Sequence, residues 1–241
     1  MEKLLTIKEA AAFLNVSEMS LRRWTNTGKL KCYRLGGKNE RRFIRRELEN
    51  LLRPDEKGVP LGISNAAVKD SSHIAHFYKD PDESVMEGSA FLQSGLSRGE
   101  SILIVSTEER SSQILANLND LGFPVNRLRR TGLIVVSNGQ SSFHEQLRFM
   151  TDIMARCPHG KGFRLLGDMV WAIEKGWDLE QINRLESKTN QVLTGNNRMF
   201  LCQYDLTRFG ADGAMMAFDT HDLTVYRGEV RQSPYFTGSA V

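Results

Sequence analysis

From Ser71 onward the hydrophobic pattern switches back and forth between two periods, and that switching leaves few architectures open. Short β-type runs at 73–78, 101–105, 132–136, 162–166 and 199–204 are separated by stretches of helical spacing. Residues 82–95 read as a helix with Val85, Ala90, Phe91 and Leu92 apolar, and 108–121 as another. Phe143, Leu147, Met150 and Met154 recur at steps of four, three and four, and Ile182, Leu185, Thr189 and Val192 stripe a further helix. Strands alternating with helices predict a mainly parallel sheet covered on both faces, a three-layer α/β domain over 71–241 that closes with a hairpin near 223–231.

Residues 1–53 carry a different pattern. Thr6-Ile7-Lys8-Glu9 is a capping box, followed by an apolar stripe of Ala10, Phe13 and Leu14. Asn15-Val16 is a turn, and Ser17 is a good N-cap for a second helix that Thr27-Gly28 ends. Leu21 and Trp24 share one face of that helix, which leaves Ser20, Arg22, Arg23 and Asn26 outward. Two short strands around Gly36-Gly37-Lys38-Asn39-Glu40 read as a β-wing, and residues 46–52 as a closing helix with Leu48, Leu51 and Leu52 inward. The expected unit is a winged helix-turn-helix. Its contacts to double-stranded DNA are expected from Ser17, Ser20, Arg22, Arg23 and Asn26 on the helix and Arg34, Lys38, Arg41 and Arg42 on the wing.

The charge distribution agrees. Residues 1–57 hold 14 Lys+Arg against 8 Asp+Glu, a net of +6, while the remaining 184 residues hold 18 against 21, a net of −3. Only the first part is suited to a polyanion. Residues 54–70, with two prolines and two glycines and no apolar period, read as a linker. No apolar run approaches the ~20 residues that span a bilayer, so no membrane partner is expected. The first residues lack a signal-peptide pattern, and Cys32, Cys157 and Cys202 have no close spacing; together these point to a reducing cytoplasm. A module of ~50 residues makes few DNA contacts, which favours a homodimer on two half-sites.

In open α/β sheets ligands bind beyond the carboxyl ends of the strands, where Asp168, Tyr204 and Asp205 fall. The loop Ser106-Thr107-Glu108-Glu109-Arg110 follows a strand and precedes a helix, but it lacks the glycines and lysine of a phosphate-binding loop. That argues against nucleotide hydrolysis, and no enzyme activity or cofactor is expected. Cys202, mid-strand, reads as a buried small hydrophobe, and Trp171 as core. Glu186, four residues after Ile182, needs a partner, as either a salt-bridge member or a pocket group. His73 and His76 face opposite ways on a strand, so they do not form a metal pair.

Two resemblances complete this reading. Thr-Ile-Lys-Glu-Ala-Ala, Ser-x-x-Ser-Leu-Arg-Arg-Trp, Gly-Lys-Leu and Arg-Arg-Phe, in order over 4–52, resemble the MerR/excisionase-type winged helix-turn-helix. Ser-His-Ile-Ala-His-Phe-Tyr, Phe-Leu-x-x-Gly-Leu-x-x-Gly-Glu, Leu-Gly-Asp-Met-Val-Trp-Ala and Leu-Cys-Gln-Tyr-Asp, with His221 before Ser-Pro-Tyr-Phe, resemble the MEDS domain over about 71–237. That is the sensory domain of DcmR-type regulators of methylotrophs and methanogens. The resemblance implies a fold similar to the RecA/KaiC ATPases without their phosphate loop, and a small organic effector. By matching motif it implies pocket residues His73, Tyr78, Asp168, Trp171, Glu186, Cys202, Tyr204 and His221. The sum is a one-component transcription regulator. Three alternatives stay open: a redox or metal sensor using Cys202 with His73 or His221, a KaiC-like ATPase with a DNA-binding tail, and a module that binds another protein.

Overall fold

The computed structural model describes residues 4–28, 30–37, 39–49, 58–158, 161–193 and 197–237. The chain divides into two units, Met1–Lys57 and Gly58–Val241.

The first unit runs β1 (Leu5–Thr6), α1 (Ile7–Leu14), α2 (Glu18–Asn26), β2 (Tyr33–Leu35), β3 (Glu40–Phe43) and α3 (Arg45–Glu49). Thr6 Oγ1 accepts the Glu9 N–H at 3.2 Å and Glu9 Oε2 accepts the Thr6 N–H at 2.7 Å, so two free donors of α1 are satisfied reciprocally. Asn15, at φ 52°, turns the chain, and Ser17 Oγ caps α2 by accepting the Ser20 N–H at 3.1 Å. Ala10, Leu14, Leu21, Leu30, Phe43 and Leu48 form the core. Burying each of the larger ones contributes roughly 1.5–3 kcal/mol. The wing turns at Gly36 and Asn39, with φ of 68° and 51°. β1, absent from the sequence reading, pairs Leu5 with Phe43 and makes the wing three-stranded, in order β1-β3-β2. Lys38, Leu51 and Leu52 lie outside the described residues.

The second unit runs β4 (Val59–Pro60), β5 (Ala67–Val68), β6 (His73–Tyr78), α4 (Pro81–Ser97), β7 (Ser101–Val105), α5 (Glu108–Asp120), α6 (Val125–Arg130), β8 (Ile134–Ser137), α7 (Phe143–Ala155), β9 (Phe163–Asp168), α8 (Val170–Glu174), α9 (Leu179–Leu193), β10 (Arg198–Asp205), α10 (Leu206–Thr220), β11 (Leu223–Tyr226) and β12 (Glu229–Gln232). One seven-stranded sheet has the order β12-β11-β6-β10-β9-β7-β8 and is parallel except for β12. On one face Ala75, Leu103, Leu165, Phe200 and Cys202 pack under α7, α9 and α10. On the other, Ile74, Ile102, Leu166 and Leu201 pack under α4, α5 and α6. The expected three-layer α/β domain is present.

The sequence reading requires two corrections here. Residues 58–70 are not a linker: β4 and β5 pair as a ribbon, and Leu61 and Ile63 are buried in the domain core. A buried cation anchors this segment. Arg164 on β9 donates to the carbonyls of Pro60, Leu61 and Phe91 at 2.6, 2.9 and 2.8 Å and to Glu100 Oε2 at 2.7 Å. The second correction is α10, a helix the periodicity does not announce. It holds Gly210 at φ 61°, ψ −163°, a conformation open only to glycine at low cost, which breaks the apolar spacing.

Candidate functional site

Strand alternation sorts the eight pocket candidates onto two faces. His73 on β6 and Cys202 and Tyr204 on β10 point toward α9 and α10, where Glu186 and His221 meet them. Tyr78 and Asp168 occupy opposite-phase positions on β6 and β9 and meet each other on the other face. Trp171 is buried edge-on against Trp177, with ring centroids 5.1 Å apart, and lines the cavity beside Glu186 and Cys202. One expected pocket is therefore two separate groups.

The first group centres on Glu186, which is fully buried. Tyr204 Oη donates to its Oε1 at 2.7 Å, Cys202 Sγ to its Oε2 at 3.5 Å, and His73 Nε2 lies 3.1 Å from Oε2. Burial raises the Glu186 carboxyl, but the His73 hydrogen bond, the charges of His221 and His73, and the Tyr204 hydroxyl outweigh it and hold the group at about 2. Burial, reinforced by that carboxylate, pushes both the Cys202 thiol and the Tyr204 phenol well up. Burial, then the charge on His73, lowers His221 to about 3.

The protons on the two imidazoles are fixed from behind. Asn190 Nδ2 donates to the Thr220 carbonyl at 2.7 Å, which turns its Oδ1 toward His73 Nδ1 at 3.0 Å, so that nitrogen donates. His221 Nδ1 lies 2.9 Å from the Ala217 carbonyl, which can only accept. Both Nε2 atoms therefore face inward. His73 Nε2 faces Glu186 Oε2 at 3.1 Å and His221 Nε2 faces the same oxygen at 3.7 Å. His73, Glu186, Cys202 and His221 offer one ligand atom each, all within 4.8 Å of one another. A cavity of about 20 Å³ adjoins Glu186 and Cys202 and is otherwise lined largely by apolar groups such as Met150, Leu165, Met169 and Phe200. It has room for one water-sized guest.

The second group stands at the carboxyl ends of the strands. Tyr78 Oη donates to Asp168 Oδ1 at 3.2 Å, and Arg110 in the first turn of α5 lies 3.3 Å from Asp168 Oδ2. Arg110 also donates to the Pro81 carbonyl at 2.8 Å. Burial raises Asp168, against the Val170 N–H, Arg110 and Tyr78. Thus an ion pair fills the position where such sheets usually take a ligand. Nearby, Gln203 Nε2 donates to His76 Nδ1 at 3.0 Å and to the Ser84 carbonyl at 2.8 Å. His73 and His76 do face opposite ways.

In the first unit, the exposed stripe of α2 is Met19, Arg22, Arg23 and Asn26, spaced i, i+3, i+4, i+7. A cleft of about 500 Å³ runs between the start of α1, α2 and the wing, lined by Lys8, Arg22, Arg34, Arg41 and Arg42 among others. Some of these groups are already engaged. Arg41 donates to Asn26 Oδ1 at 2.7 Å, tying wing to helix, while Arg42 pairs with Glu40 at 2.7 Å and Arg22 with Glu18 at 3.5 Å. Ser17 is committed to its cap, with its hydroxyl 3.0 Å from that of Ser20. Arg34 donates to the Asn39 carbonyl at 3.3 Å.

Residues 72–222 match the model of the MEDS family, the methanogen/methylotroph DcmR sensory domain. The chain belongs to this family. Residues 4–54 match a helix-turn-helix domain model. The chain is also similar to the transcriptional repressor DcmR of Methylorubrum extorquens, with 29% identity over 242 residues, 92% of this chain and 91% of the relative.

Three contributors to these sites escaped the sequence reading. In the MEDS domain, Asn190 orients His73, and its signal was available: Ile182, Glu186 and Asn190 step by four along one helix face. Arg110 lies in the loop that the sequence reading weighs only against a phosphate-binding motif, and its reach to Asp168 is a tertiary contact. Met19 lies three and four residues before the two arginines and is 78% exposed, an apolar side chain on the exposed stripe of α2.

Proposed function

We propose that this MEDS-family chain is a one-component transcriptional regulator. Its helix-turn-helix unit binds operator DNA, and its sensory domain binds a small organic effector that changes operator affinity. The observation that carries this is the occurrence, in one chain, of a helix-turn-helix unit with a basic helix-and-wing surface and a MEDS sensory domain. The relative named as a repressor supports repression as the direction of control. Effector and DNA then alter each other's affinity by the same factor.

The protein acts as a homodimer in the cytoplasm and is not an enzyme. The turn after β7 supports the last point: Thr107 caps α5, and Glu108 and Glu109 fill its first turn, so a triphosphate there would meet two carboxylates. No helix among the described residues is long and apolar enough to cross a membrane.

The test is fluorescence anisotropy of the full chain on duplex DNA from the region upstream of its own gene, at several salt concentrations, with and without a panel of one- to three-carbon compounds. The expected result is binding tighter than to random duplex, a steep salt dependence, and release by at least one compound. Equal, weak binding to every duplex in dilute salt would remove the reading.

A further inference from the structure

We propose that His73, Glu186, Cys202 and His221 form a binding site for one divalent metal ion of the zinc class. The site lies between β6, β10, α9 and the end of α10, and each residue gives one ligand atom.

Three geometric facts carry this. First, both imidazoles have their outer nitrogen spent on a fixed acceptor. His73 Nδ1 donates to Asn190 Oδ1, which the Thr220 carbonyl orients. His221 Nδ1 donates to the Ala217 carbonyl, and the neighbouring Thr220 hydroxyl cannot reverse this, because its own hydrogen goes to the Met216 carbonyl at 2.9 Å. Metal-bound histidines are held in this way, by an outer hydrogen bond that fixes the tautomer and aims the other nitrogen.

Second, His221 Nε2 is buried and has no hydrogen-bond partner among the described residues, although Glu186 Oε2 lies 3.7 Å away. A buried polar atom left unpaired costs free energy, and a cation at the centre removes that cost.

Third, four of the six ligand-atom separations are close to those of a coordination shell, and all six lie within 4.8 Å. Bonds of about 2.0–2.3 Å in a tetrahedron place ligand atoms about 3.3–3.6 Å apart. The separations here are 3.1 Å for His73 to Glu186, 3.4 Å for His73 to Cys202, 3.5 Å for Cys202 to Glu186 and 3.7 Å for His221 to Glu186. Two imidazoles, a thiol and a carboxylate suit zinc and its first-row neighbours, and exclude magnesium and calcium, which want oxygen shells. Coordination takes the proton of the Cys202 thiol and releases it to solvent. Tyr204, donating to the other oxygen of Glu186, is a positioning residue.

This goes beyond the regulator reading and does not depend on it. The reduced full-length protein, folded by circular dichroism, is titrated with Co²⁺ as probe and then with Zn²⁺. The expected result is intense tetrahedral visible absorption and a near-ultraviolet thiolate–cobalt band, both saturating at one ion per chain and both abolished by Zn²⁺. Cys202→Ser is expected to lose the near-ultraviolet band while keeping visible absorption, and His221→Ala to weaken binding at least tenfold. The proposal fails if the folded wild-type protein gives only the weak octahedral spectrum of aqueous cobalt. It fails equally if the near-ultraviolet band survives in Cys202→Ser, which would place the ion on Cys32 or Cys157. DNA binding is measured separately, so a negative titration counts against the metal and leaves the regulator reading standing.

Discussion

Arg164 Nε donates to Glu100 Oε2 at 2.7 Å, with both side chains buried. Three backbone carbonyls, of Pro60, Leu61 and Phe91, share the same guanidinium, so one cation joins the β4–β5 ribbon, α4 and the sheet. Burial lowers the guanidinium's affinity for its proton, and Glu100 opposes that. The contact is as close as it is because Gly95 has no side chain: a Cβ there would stand 2.7 Å from Arg164 Cδ. Arg164→Met leaves Glu100 with only the half-exposed Arg98 at 2.7 Å as a charge partner among the described residues, and removes one donor from each of three carbonyls. The expected loss is ~3–5 kcal/mol, read from urea unfolding, with part restored in Arg164→Met/Glu100→Gln. An unchanged midpoint for the single variant would refute the clamp.

Arg23 is the guanidinium of the α2 stripe with no ion pair among the described residues, whereas Arg22 leans on Glu18 and Arg41 on Asn26. Arg23→Ala is expected to cost ~1–3 kcal/mol in operator binding if it reads a base, or to lower the salt slope by about one if it holds a phosphate. Gel shifts at several salt concentrations separate the two, and neither effect would take it off the interface. Met19→Ala is expected to relax the preference at a single thymine, since an apolar side chain can meet its methyl group.

His76 supplies a pH dependence. Burial lowers it to about 4 from an ordinary value near 6.5. Between those values the unfolded chain holds a proton that the folded one refuses. The folded state is therefore at full advantage above pH ~6.5 and loses up to about 3 kcal/mol as pH falls toward 4. His76→Asn, whose Oδ1 can still accept from Gln203, is expected to unfold with a flatter pH dependence between 6.5 and 4. Parallel curves for the two proteins would contradict this.

Gly167 borders the cavity beside Cys202. A Cβ there would sit 3.5 Å from Leu165 Cδ2, 3.6 Å from Met169 Sδ and 4.0 Å from Cys202 Sγ, ordinary contact distances, so the methyl fits and occupies space. Gly167→Ala is expected to hold or slightly raise the unfolding temperature and to raise the effector concentration needed for operator release. Release at the wild-type concentration would mean that the effector binds elsewhere.

The sequence by itself determined the elements whose signals are local. The Thr6–Glu9 capping box, the Ser17 cap, the turn at Asn15 and the five sheet strands from 73 to 205 are each written within a few neighbouring residues. It left out α10, whose glycines blur the apolar period, and the ribbon at 58–68, whose attachment to Arg164 lies 104 residues away in the chain. The site shows the same division. His73, Glu186, Cys202, Tyr204 and His221 were recognisable as residues, but their company was decided only when parallel crossovers placed β10 beside β6 and brought Cys202 within 3.4 Å of His73, 129 residues away. Strand phase then sent Tyr78 and Asp168 to the opposite face. Local periodicity fixes which way a side chain points along its own element; what it points at is set by strand order and helix packing, and those are properties of the whole sheet.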